Sequence, residues 1–166
     1  MLDLNDLAMF VQVVRAGSFS EAARRLQSVL ELDGRFYLAH YFLGQTYCES
    51  GLHAEATREL EIAFESSGSS ESLSALGYAQ ALTGDREKAD AALRQLLDRA
   101  ACRYVSPLLI AQIQTGLGEM DAAVESIEEA WRVCATDLIW FNLRPAFRRV
   151  RSYGKVPDIL KRAGIS

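Results

Sequence analysis

The chain has 166 residues, 49% of them hydrophobic and 24% charged, which suits one domain with a sizeable core and excludes a disordered chain. No apolar run reaches the roughly 18 residues needed to span a bilayer. Net charge is −4, but seven bases against the single acid Asp158 make the stretch from Arg144 onward +6 and leave −10 on residues 1–143. An acidic body of that kind does not read as a phosphate-binding surface.

Three Pro among abundant Ala, Leu, Glu and Arg favour helix. In chain order the pattern predicts helices over 4–15 and 19–32, 36–49 and 53–66, 71–82 and 86–100, and 106–116 and 120–134. Ser18 and Glu21 have the spacing of a capping box. "SSGSS" at 66–70 predicts a turn between repeats rather than a domain linker. Asp85 is placed to cap "REKADAALRQLL". Ser106-Pro107 reads as an N-cap followed by Pro at the first helical position. The basic tail is expected to be a solvated helix face or to dock on the acidic body.

The glycines that end helical runs recur at a nearly fixed period: Gly17, Gly51, Gly84 and Gly118. Five residues after each comes an alanine, at Ala22, Ala56, Ala89 and Ala123. Four further on comes a large aliphatic, at Leu26, Leu60, Leu93 and Ile127. Leu43-Gly44 and Leu76-Gly77 precede two of the turns by the same interval. These columns resemble the tetratricopeptide repeat over residues 37–137, best at 37–70, where Leu43, Gly44, Tyr47, Gly51, Ala56, Leu60 and Ala63 are in register. Gln80 replaces the Tyr in the next repeat and Ala111 the first Gly in the third, and no repeat keeps the family's closing Pro.

The resemblance implies an all-α, right-handed helical solenoid of about four hairpins with a C-terminal cap. It implies a single domain, with an N-terminal hairpin over 1–34, three repeats over 35–137 and the cap over 138–166. Within the cap, Asp137, Trp140, Pro145, Phe147, Val150, Arg151, Ile159, Leu160 and Gly164 resemble the tails closing such arrays in some bacterial regulators. Trp131, Trp140 and Phe147 are expected in the core. An uncapped last repeat would expose its apolar face.

Residues 4–26, "LNDLAMFVQVVRAGSFSEAARRL", also resemble the first two helices of LysR-type transcription regulators. In that family a basic recognition helix follows at once. Here "QSVLELDG" follows, with Glu31 and Asp33 and no base, and a negative segment is repelled from a groove lined with phosphates. The position of helix 19–32, packed or projecting with Arg24 and Arg25 free, separates the two readings.

No arrangement of nucleophile, base and acid stands out, nor any phosphate-binding loop. His40 and His53, the only histidines, lack metal-ligand spacing. His40 sits at a packing column of the repeat, Cys48 is expected to be a buried thiol, and His53 an exposed imidazole. Glu128 and Glu129 are expected to be solvated. The chain is therefore expected to be no enzyme and to need no cofactor or metal.

Two functions remain open. One is a scaffold that binds a peptide or partner helix. The resemblance transfers its concave-groove positions to Leu38, Tyr41, Gln45 and Glu49, to Ser74, Tyr78 and Ala81, and to Leu108, Gln112 and Thr115. The other is a DNA-binding regulator using the LysR-like segment. A first helix that is apolar nearly all round leads to the expectation of a homodimer through Leu7, Phe10, Val11 and Val14. An odd, scattered set of cysteines and no pattern of a secretion signal lead to the expectation of a cytoplasmic protein.

Overall fold

The computed structural model describes residues 19–165. Among these every regular element is a helix. They are α1 (Phe19–Leu32), α2 (Tyr37–Glu49), α3 (His53–Ser67), α4 (Ser70–Thr83), α5 (Arg86–Cys102), α6 (Pro107–Leu117) and α7 (Met120–Arg132). Two 3-10 segments, Thr136–Leu143 and Pro145–Phe147, then lead to α8, Val156–Arg162. The helices fall within one or two residues of the expected bounds. The expected helix over 4–15, with Leu7, Phe10, Val11 and Val14, lies outside the described residues, as do Gly17 and Ser18.

The chain forms two compact units that divide between Gly68 and Ser69, inside the "SSGSS" turn. Gly68 ends α3 in the left-handed region, and Ser69 Oγ accepts the Ser72 N–H at 3.0 Å to open α4. In the first unit, α1 packs on α2, and α2 on α3. In the second, α4 packs on both α5 and α6, α6 on α7, and the 3-10 segments and α8 close on α6 and α7.

The sequence period reappears in the backbone. Gly51, Gly84 and Gly118 have φ of 77°, 84° and 78°. After each, the next N–H reaches back over the helix end: Leu52 to Tyr47 O at 2.9 Å, Asp85 to Gln80 O at 3.0 Å, Glu119 to Gln114 O at 2.9 Å. This closes the carbonyls that a helix end leaves without partners. A left-handed φ suits glycine because a Cβ there crowds the following carbonyl. The start of the next helix then follows from local chemistry. Asp85 accepts the Lys88 N–H at 3.2 Å and Ser106 the Leu108 N–H at 3.3 Å, as their positions led one to expect.

Between these turns the small residues mark where helices touch. Ala56, Ala89 and Ala123 are fully buried. A Cβ on Gly77 would stand 2.6 Å from Ile113 Cδ1 and 2.9 Å from Ala92 Cβ, so α4 lies against α5 and α6 with no room for a side chain. One column further, Ala63, Leu96 and Ala130 are completely buried.

The cap has its own core, where Phe141, Phe147, Val150 and Val156 are inaccessible and pack with Leu108, Val124 and Ile127. The Phe141 and Phe147 rings stack at 4.5 Å between centroids. Trp131 and Trp140 are half-buried, Trp131 against this core. Lys155 pairs with Glu128, and Tyr153 Oη donates to Asp121 Oδ1 at 3.0 Å. Part of the basic tail thus docks on the acidic face of α7. The Lys155 ammonium, first as a hydrogen-bond donor, holds the Glu128 carboxyl below its usual range. Glu129 pairs with Arg132, so neither carboxylate is simply solvated.

Two glycine substitutions separate turn strain from crowding in urea denaturation. Gly84→Ala is expected to cost roughly 1–2 kcal/mol through its positive φ, with Gly84→Asn costing less because Asn tolerates that region. At Gly77 the order reverses. Alanine crowds Ala92 and Ile113, overpacking that costs typically about 1–3 kcal/mol against a helix-propensity gain of about 1 kcal/mol, and Asn, being larger, is worse.

Candidate partner-binding face

The groove positions carried by the repeat columns fall on three helices. Leu38, Tyr41, Gln45 and Glu49 lie along α2 of the first unit. Their three- and four-residue steps place them on one helical face. Leu38 is buried and the other three are half-buried. Tyr41 packs edge-on to Phe42 at 5.3 Å.

The second unit carries Ser74, Tyr78 and Ala81 on α4 and Leu108, Gln112 and Thr115 on α6. Here the positions divide by role. Ser74 Oγ donates to Leu109 O at 2.7 Å and Thr115 Oγ1 to Ala111 O at 2.8 Å, while Leu108 is wholly inside the core. Ser74 thus ties α4 to α6 and Leu108 joins α6 to the cap, while the Thr115 hydroxyl is satisfied within α6. Tyr78 and Ala81 are half-buried. They rest on Gly116, where a Cβ would stand 2.9 Å from Tyr78 Cδ2 and 3.0 Å from Ala81 Cβ.

Gln112 is the polar member of this face. Its side chain is 7% exposed and forms no hydrogen bond within the described residues. An amide carries two donors and an acceptor with two lone pairs, and leaving them unmatched near the interior is costly. In the repeat columns Gln112 corresponds to Tyr78 and Gln45. Gly116 was not among the expected positions. Its signal is a glycine inside a helix with no turn to make, which marks a close approach.

The other residues singled out by sequence are structural. His40 is buried; its Nδ1 lies 2.7 Å from Glu59 Oε2 and its Nε2 3.2 Å from Gly34 O. It ties α2 to α3 and to the α1–α2 turn. His53, the first residue of α3, is half-buried rather than exposed, with Nδ1 shielded and unpartnered. Cys48 is buried, and desolvation, then the charge of Glu49, pushes its thiol up to about 12. No three His, Cys, Asp or Glu side chains among the described residues are grouped to hold a metal ion, and no described helix is long and apolar enough to cross a membrane.

Helix α1 bears on the DNA-reading alternative. It packs against α2, with Gln27 Nε2 donating to Tyr47 Oη at 2.8 Å. Arg24 and Arg25 both bind Glu21, at 2.7 and 2.8 Å, and those two guanidinium groups hold the Glu21 carboxyl down at about 2. Neither arginine projects free.

Residues 70–101, the α4–α5 hairpin, match the family model for the tetratricopeptide repeat. No curated protein matches the chain. The match leaves residues 4–26 uncovered, so the LysR-type resemblance there stays one of sequence alone.

The thiols provide a check on this placement. With the native chain at pH 8, a maleimide is expected to modify the exposed Cys102 and Cys134 and to spare Cys48, whose thiolate is suppressed. Mass spectrometry of the labelled peptides reads the outcome. Rapid labelling of Cys48 without denaturant would contradict the packing of α2 on α3.

Proposed function

From a chain that carries a tetratricopeptide repeat in an all-helical framework, we propose a non-catalytic protein-interaction module whose α4–α6 face takes an extended segment of a partner protein. The observation that carries the reading is Gln112, nearly buried, unbonded, and on the same repeat column as the half-buried Tyr78 ring. An extended peptide presents a backbone amide and carbonyl at regular intervals. The Gln112 amide can satisfy one such pair, while Tyr78 covers the adjoining side chain with an apolar ring face. Neither Lys nor Arg occurs among the ten groove positions, so the segment preferred is apolar or amide-rich rather than acidic.

On α2, the half-buried Tyr41 and Gln45 offer a ring and an amide of the same kind. Free, exposed Cys102 and Cys134 support a reducing compartment such as the cytoplasm.

The test is an array of extended peptides probed with the intact chain, followed by titration of the tightest binder. Tyr78→Ala is expected to weaken binding by roughly 1–2 kcal/mol, the range of a buried aromatic contact. Gln112→Ala is expected to weaken it by about 1 kcal/mol, with an unchanged circular dichroism spectrum in both cases. Binding indifferent to both substitutions would contradict the proposal.

A further inference from the structure

His40 stands in α2 where the repeat needs only bulk. Its counterpart in the second unit, at the same distance before the glycine turn, is Leu73, and the counterpart of Glu59 is Ala92. Leu73 and Ala92 are both buried. The first unit thus sets a base against an acid where the second sets two apolar residues. Both nitrogens of the buried His40 ring meet oxygen: Nδ1 lies 2.7 Å from Glu59 Oε2 and Nε2 lies 3.2 Å from Gly34 O. A carbonyl oxygen and an ionised carboxylate only accept hydrogen bonds, and a neutral imidazole has a single N–H. The two contacts together therefore need one proton more than a neutral ring beside a carboxylate supplies. That proton gives either an imidazolium facing a carboxylate or a neutral ring accepting from a Glu59 carboxyl, and the pair titrates as one unit. The surrounding charges are engaged elsewhere or lie in solvent. On α1, Arg24 and Arg25 bind Glu21, and Glu31 is exposed. In the α1–α2 turn, Asp33 and Arg35 are exposed, with Asp33 Oδ1 accepting the Arg35 N–H at 3.0 Å. On α3, Glu55 and Arg58 are exposed and Glu61 is half-buried, and on α2 Tyr37 is half-buried. Among the described residues the ring bonds only to Glu59 and Gly34.

We propose that His40 and Glu59 form a proton-operated latch on the α1–α2 turn. With the extra proton in place, the ring ties Gly34 of the turn to α2 and, through Glu59, to α3. When the proton leaves, only one of the two contacts keeps a hydrogen. The bond to the carboxylate is charge-assisted and the stronger, so Nδ1 retains its N–H and Nε2 turns a lone pair toward the Gly34 carbonyl. Gly34 is exposed, so water takes over its carbonyl and the turn comes free of the ring. The turn is held at lower pH and loosens as pH rises through the loss of that proton. Histidine is the side chain whose ordinary charge change falls between about pH 5 and pH 8, which puts the latch in a range that cells visit. Because α1 ends at Leu32 and α2 begins at Tyr37, the latch governs how firmly the end of α1 is held on α2.

Nuclear magnetic resonance of the intact chain from about pH 5 to pH 8 tests it. His40 Nε2 is expected to carry a proton at the low end and to lose it at the high end. The Arg35 amide, which shares a peptide group with the Gly34 carbonyl, is expected to shift with the same midpoint. His53, the other histidine, is the internal reference, since its own titration should leave the Arg35 amide unmoved. Glu59→Gln separates a latch from a merely buried histidine. A side-chain amide can donate as well as accept, so a neutral ring then keeps both contacts: His40 still titrates, and the Arg35 response is lost. His40→Leu, which copies Leu73, also abolishes the response while the circular dichroism spectrum stays helical. A His40 Nε2 that keeps one protonation state across this range overturns the proposal. So does a titrating ring with an indifferent Arg35 amide, or an Arg35 response that survives in Glu59→Gln.

Discussion

Backbone-to-backbone approach is the constraint on which the rest of this protein depends. Two neighbours can come this close to one point of a helix only where it presents no side chain, and α4 offers that at Gly77, with Ala92 of α5 and Ile113 of α6 against it. Gly44 does the same for α2 and α3, where a Cβ would meet Leu60 and the Ala56 carbonyl. Close contact at these points accompanies full burial of Ala56, Ala89 and Ala123, and dense packing of this kind turns small residues into stabilising ones. The glycine turns set the register. Because α2, α4 and α6 end with the same pair of backbone bonds, the small residues of each hairpin arrive opposite one another.

The cap solves the problem the repeats create. The last hairpin would leave α6 and α7 with an apolar side in water, and the chain covers it with Phe141, Phe147, Val150 and Val156. The uneven charge of the sequence serves the same contact. Lys155 reaches Glu128 and Arg144 reaches Asp137, so the basic tail meets the acid of the body it closes. Lys161 and Arg162 fall in the last turn of α8, where positive charge favours a helix C-terminus.

Much of the fold was legible because the period is written in residues with one physical use. Gly51, Gly84 and Gly118 could be found by spacing alone, and the Asp85 and Ser106 caps by local chemistry. The division at Gly68–Ser69 was not, because a left-handed glycine followed by a serine cap looks the same inside a repeat array as between two compact units. The candidate face was legible by column but not by role. Ser74 and Leu108 share a column with the half-buried Tyr41, and Thr115 shares one with the half-buried Ala81, yet here they face Leu109, the cap and Ala111, and only tertiary packing decides that. The exposure of Tyr104 and Ile139 left no sequence signal, since a lone aromatic or aliphatic residue outside the repeats has no periodicity.

What emerges is a division of labour between two kinds of polar group. Ser74, Thr115 and the Asp137–Ser106 pair are satisfied inside the protein and fix the helices that carry them. Gln112, on the same helix as Thr115, forms no hydrogen bond among the described residues, and the proposed function rests on that unspent group meeting a partner. The most direct test is nuclear magnetic resonance of the Gln112 side-chain amide during titration with a bound peptide. The account predicts that the Gln112 Nε2 protons shift and slow in exchange together with backbone amides of α4 and α6 around Tyr78 and Gly116. Perturbation confined to the outer faces of α5 and α7, with the Gln112 amide unmoved, would contradict it.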